Sequence, residues 1–161
     1  MADYFTPTVI EQPLPLADIT PLERLVLGAI FETDKTEEGL SCFAPGSVDD
    51  CPLLSVGPLR DAWAQADGTP SRLHDLVTGQ LAETAADAQV LDLSVDGYAF
   101  ILQDIVRRSD TLTHVSIEAA FTCSKMRPDG FGGMATLITA EDIISETTTG
   151  LLEKWLADAF P

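Results

Sequence analysis

Residues Thr113 to Ser124 alternate in character: Val115, Ile117, Ala119, Phe121 and Cys123 fall on one side of an extended chain, and Ser116, Glu118, Thr122 and Ser124 on the other. A strand written this way has one face for a core and one for solvent, the pattern of an antiparallel sheet covered on a single side. The next residues, Arg127-Pro128-Asp129-Gly130, are turn formers: proline presets the first bend and glycine accepts the positive φ that often follows it. The expectation is a hairpin that returns through a second strand, Phe131 to Ile138, and everything else in the chain must pack around it.

Helix signals surround this hairpin. Thr20-Pro21-Leu22-Glu23 places a capping hydroxyl, a proline at the first helical position and a glutamate three residues after the cap, so a helix starts here and runs to about Thr33. Leu22, Leu25, Val26, Ala29 and Ile30 form its apolar stripe. Leu40 to Ala44 reads as a short strand, followed by a loop through Pro45, Gly46 and Pro52. Pro58 opens a second helix ending near Asp67-Gly68, and Ser71 caps a third carrying Leu73, Leu76, Val77 and Leu81.

Leu91, Leu93 and Val95 alternate as a strand that hands over near Asp96 to a helix with Tyr98, Ile101, Leu102, Ile105 and Val106. Thr139 with Asp142 caps a final helix bearing Ile143, Ile144, Leu151, Leu152, Trp155 and Leu156. Residues 1–19 hold Pro7, Pro13 and Pro15 among apolar side chains, which suits an extended arm that docks on the rest. The fold expected is a single α+β domain over residues 20–161. Its antiparallel sheet has three or four strands centred on the hairpin of residues 113–138, and its helices pack mainly on one face.

Charge narrows the function. Against 26 acids stand 9 bases, a formal charge of -17. Nucleic acid and anionic membrane surfaces carry the same sign, so direct binding to either is not expected, and a basic protein is the electrostatically easier partner. No apolar run approaches the ~18 residues that cross a bilayer, and the first residues lack the basic start and apolar middle of a secretion signal. Cys42, Cys51 and Cys123 make neither an even set nor a CxxC pair, which fits a reducing compartment and a cytoplasmic protein.

Two groups of residues are candidate sites. Residues 105–134 hold four bases, Arg107, Arg108, Lys125 and Arg127, against three acids, so this is where an anion meets least repulsion. With exposed amides at Gly130, Gly132 and Gly133 and a stacking face on Phe131, these bases suit a carboxylate or phosphate, although glycine in a strand also marks a bulge and bases on a hairpin also protect an edge. The acidic pairs Glu37 with Glu38 and Asp49 with Asp50 are the candidate partner-binding residues.

Enzymatic signatures are missing. The glycines make neither GxGxxG nor a phosphate loop, His74 and His114 fall in no metal-binding motif, and Ser71, His74 and Asp75 are too close along one helix to form a relay. No catalytic residue, metal or cofactor is expected.

Ile105 to Ser109, Phe121 to Met134 and Thr20 to Leu25 resemble segments of small uncharacterised proteins carried on bacterial plasmids and other mobile elements. That resemblance implies a context, with no activity, cofactor or catalytic residue attached. The expected function is that of a non-enzymatic accessory protein that binds a basic protein, in its sharper version by imitating the charge of DNA. The alternative is an enzyme or binding protein for a small anion held by Arg107, Arg108, Lys125 and Arg127. Self-association through the last helix stays open.

Overall fold

A computed structural model describes residues 2–49, 51–66, 68–93, 97–127 and 130–160. In chain order its elements are β1 (Tyr4–Phe5), β2 (Thr8–Leu14), α1 (Pro21–Ile30), β3 (Glu32–Lys35), β4 (Leu40–Ala44), β5 (Leu53–Ser55), α2 (Val56–Gln65) and α3 (Arg72–Glu83). There follow β6 (Val90–Asp92), α4 (Ala99–Arg108), β7 (His114–Cys123), β8 (Gly132–Thr139), β9 (Ile143–Thr147) and α5 (Thr148–Ala159). The class is α+β and every recorded strand pairing is antiparallel. The main sheet has seven strands in the order β3-β4-β2-β7-β8-β9, with β1 pairing β7 beside it, so it is twice the size expected from sequence.

The expected hairpin is the spine of that sheet: β7 and β8 pair from His114 opposite Thr139 to Phe121 opposite Gly132. Val115, Ile117 and Ala119 are buried, as the alternation predicts. Pro128 and Asp129 of the turn lie outside the described residues. The described glycines of positive φ are Gly39, Gly68 and Gly97, so Gly130 does not use the backbone freedom expected of it. It is needed small for another reason, because a Cβ on it would stand 2.6 Å from that of Cys123.

The N-terminal segment is extended, and its strands pair with the main sheet. β2 inserts between β4 and β7, with Ile10 opposite both Cys42 and Ile117. Pro13 has no N–H to give a ladder, and the register shifts between Ile10 and Leu14, where it sits. There the Gln12 carboxamide oxygen accepts the Ser116 N–H at 2.6 Å, a side chain standing in for a strand neighbour.

Helix α1 packs against β3 and β4 and α4 against β7 and β8, and with α2 and α3 they share one core through Leu22, Val26, Leu59, Leu73, Ile101, Leu102 and Ile105. The Thr20 capping box forms as expected, yet α1 stops at Ile30 and the chain goes straight into β3. The largest departure is at the end of the chain. Thr139 and Asp142 close a tight turn, with Asp142 N–H donating to the Thr139 hydroxyl at 3.0 Å, and the helix expected there begins later. Ile143 to Thr147 pair with β8 as an edge strand, and Thr147 caps α5, its hydroxyl accepting from Gly150 N at 3.0 Å.

Two measurements check this fold. Gly39 holds φ at +148° and any Cβ there would collide with the Leu14 carbonyl, so Gly39→Ala should lower stability by about 1–3 kcal/mol in chemical denaturation. Burial pushes the Cys42 thiol up to about 12, so it stays protonated well above neutral pH, whereas Cys51 is exposed. A thiol reagent at pH 8 should therefore modify Cys51 in the native protein and reach Cys42 only on unfolding. Because the unfolded thiol ionises first, its contribution to stability should fall as pH rises toward 12.

Candidate functional site

Arginines do converge: of the four bases expected, Arg107 and Arg108 meet here, joined by Arg72. Glu23, the third residue of α1 and the partner of Thr20 in its capping box, has no exposed surface. Its carboxylate accepts Thr20 N–H at 2.9 Å and the Ser71 hydroxyl at 3.0 Å, and it pairs with the Arg108 guanidinium. Arg108 in turn donates to the carbonyls of Asp18 at 2.7 Å and Pro70 at 3.1 Å. Beside it the buried Asp104 accepts Arg72 N–H at 2.8 Å and Arg72 Nε at 2.9 Å, capping α3 from a neighbouring helix, with Arg107 Nη1 3.6 Å away. Arg72 also reaches the Phe100 carbonyl and the Gln103 side chain, and its guanidinium lies over the Phe100 ring.

A cavity of about 510 Å³ opens over this cluster, lined by Ser71, Arg72, Asp75, Asp104, Arg107 and Arg108 among others. An anion entering it would meet two carboxylates, and it would have to displace bonds that the guanidinium groups already make. The cluster is a joint between α1, α3, α4 and the turn after β8, where Arg107 Nε donates to the Ala140 carbonyl at 2.7 Å.

The other expected anion ligands lie elsewhere. Arg107 sits near Thr139, at one end of the β7–β8 hairpin, while Lys125 and Arg127 are exposed beyond Phe121 and Gly132 at the other. Seven residues of strand, roughly 23 Å, separate those ends. Phe131 is exposed. Gly132 and Gly133 serve α5: a Cβ on Gly132 would meet the Thr148 hydroxyl at 2.9 Å, and Gly133 N–H donates to that hydroxyl at 3.1 Å. The proposed cradle is thus filled by the start of a helix.

The acidic pairs are also apart. Glu37 and Glu38 are exposed in the turn before β4, whereas Asp49 follows β4 and accepts the Cys51 N–H. Asp50 lies outside the described residues. His74 stacks on Trp63, centroids 5.4 Å apart and nearly parallel, and has no part in either group.

Sequence reasoning missed the uncovered face of the sheet. The registers align Glu32, Phe43, Val9, Glu118, Ala135 and Glu146 as one row across β3, β4, β2, β7, β8 and β9. Their neighbours Phe31, Cys42, Ile10, Ile117, Ala119 and Thr136 are buried, so the row points away from the core, and Phe43 is 45% exposed. Leu137 and Ile144 face each other in the next row, also exposed. Beside them stands α5, none of whose residues is buried: Leu151, Leu152, Trp155 and Leu156 share one face, and Trp155 is 57% exposed. Leu151 lines a cleft together with Glu118, Ala135 and Glu146, which makes helix and row one surface. A sequence signal for the row existed in Val9 and Phe43, apolar residues at the outward positions of their strands, but it is readable only once the register is known.

No family model, curated protein or solved structure matches the chain.

Substitution separates the joint from the hairpin tip. Arg108→Ala leaves the Glu23 charge buried without its cation and should cost about 3–5 kcal/mol of stability. Arg127→Ala, at an exposed position, should stay within about 0.5 kcal/mol in the same denaturation experiment.

Proposed function

We propose that this chain is a non-enzymatic accessory protein that binds a basic protein, and that it does so with the uncovered face of its sheet. The observation that carries this is the row Glu32, Phe43, Val9, Glu118, Ala135 and Glu146, in which carboxylates and apolar side chains share a surface about 24 Å wide, with Glu146 already paired to Lys154. Apolar side chains in the middle of an open face supply affinity when covered, and carboxylates among them select a cationic partner and speed its approach. The rest of the molecule adds to that field. Of nine bases, Arg72, Arg107 and Arg108 are tied to the carboxylates of the joint, in a protein of net charge -17.

Imitation of DNA is the less favoured version, because Phe43, Val9 and Ala135 interrupt the carboxylates where a phosphate backbone would continue. The interruption suits a protein partner that is both basic and apolar at its centre.

Capture on the immobilised chain, followed by titration of each captured protein at several ionic strengths, supplies the test. The partner should be basic. Glu32→Lys with Glu118→Lys should slow association and flatten its salt dependence, and Phe43→Ser should speed dissociation, while Glu37→Lys with Glu38→Lys in the distant turn should matter little. Binding that ignores the first pair of changes and follows the second would move the site to the turn and end this reading. Sedimentation velocity covers the other occupant: self-association lost in Phe43→Ser would make a second copy the partner.

A further inference from the structure

A separate cleft of about 700 Å³ runs between α1 and α2, within the ~300–1,000 Å³ range of small-molecule sites. Its walls are apolar, formed by Ile19, Leu25, Ala29, Leu54 and Ala62. Leu25 and Ala29 belong to the apolar stripe of α1, yet they are only half-buried, because α2 does not close over them.

Two side chains with hydrogen-bonding groups line it, Arg24 and Gln65. The Arg24 guanidinium makes no hydrogen bond or ion pair among the described residues, in contrast to Arg72, Arg107 and Arg108. No carboxylate is among the cleft's described lining, whereas each of four other clefts has at least one. In a chain with 26 acids, an apolar cleft free of acids and edged by an unengaged guanidinium is selective for one kind of ligand.

Gly28 bears on the same point. It lies one turn after Arg24 on the cleft side of α1, inside a helix where glycine is unfavourable. Close packing does not require it, since a Cβ there would find its nearest neighbour, the Thr33 hydroxyl, at 3.9 Å. What its missing side chain does is leave the cleft open.

We infer that the α1–α2 cleft binds a small amphipathic acid: an apolar chain lies along Leu25, Ala29 and Ala62, and its carboxylate pairs with Arg24 and accepts from the Gln65 amide. This site is independent of the partner face on the sheet, and either assignment can fail without the other.

Decanoate, kept below its micelle-forming concentration, is the probe, with decanol and decyltrimethylammonium as comparators in titration calorimetry. Decanoate should bind with one site per chain, about tenfold or more tighter than decanol, because a charge-assisted contact is worth that factor, and the cation should not bind. Arg24→Met should weaken decanoate by about tenfold and leave decanol unchanged. Gly28→Leu should abolish binding of both while the free protein melts at the same temperature or higher, since the change improves helix propensity in open space. Equal affinity for decanoate and decanol, decanoate binding that survives Gly28→Leu, or no decanoate binding at all would each overturn the assignment.

Discussion

The structure turns on a carboxylate that cannot be buried alone. Glu23 serves first as a local device, closing the capping box of α1, and that position places its charge out of contact with solvent. Removing such a charge from water is tolerated only if a cation and several donors meet it. Thr20, Ser71 and Arg108 do so, and Arg108 comes from 85 positions away. Through Arg108 the Asp18 and Pro70 carbonyls are also fixed, so the chain before α1, the start of α3 and the end of α4 have one mutual arrangement. Asp104 repeats the arrangement one turn away with Arg72 and Arg107.

This joint has an electrostatic effect on the rest of the surface. The arginines that neutralise Glu23 and Asp104 are no longer available to neutralise acids elsewhere, so the excess negative charge is concentrated on what remains exposed. The row from Glu32 to Glu146 lies on the sheet together with the first turn of α5, away from the joint. An isolated helix of twelve residues is marginal in water, yet α5 buries none of its side chains, and its anchors are the Thr147 cap, the Thr148 contact with Gly133 and the Lys154–Glu146 ion pair.

Where physics is local, the sequence could be read. Thr20 to Glu23 announces its capping box because every participant lies within four residues, and the β7–β8 hairpin is legible from alternation and turn chemistry. Ile143 and Ile144 were misassigned to the last helix because two adjacent apolar residues before Leu151 fit helical spacing as well as a half-covered edge strand. Gly132 and Gly133 read equally well as an anion cradle or as room for a neighbour, and only the position of Thr148 decides. Arg72 escaped notice because it lies far in sequence from the residues it meets. The outward row is distributed over six strands from Val9 to Glu146, so no window of sequence contains it.

The position of β2 also dictates when this protein can fold. Its partner Ala119 lies 111 residues further along the chain from Thr8, and β4 is its other neighbour. During synthesis β2 can pair with β4 first, but its other edge must wait until β7 has emerged. Such high contact order slows folding, since loop closure has to precede the contacts that repay it. Helix α1 and the pairings of β4 with β3 and β2 lie within the first 44 residues, whereas the sheet closes only when β7 is available. Until then the edge of β2 that will face β7 stays open, an edge on which another extended chain can pair.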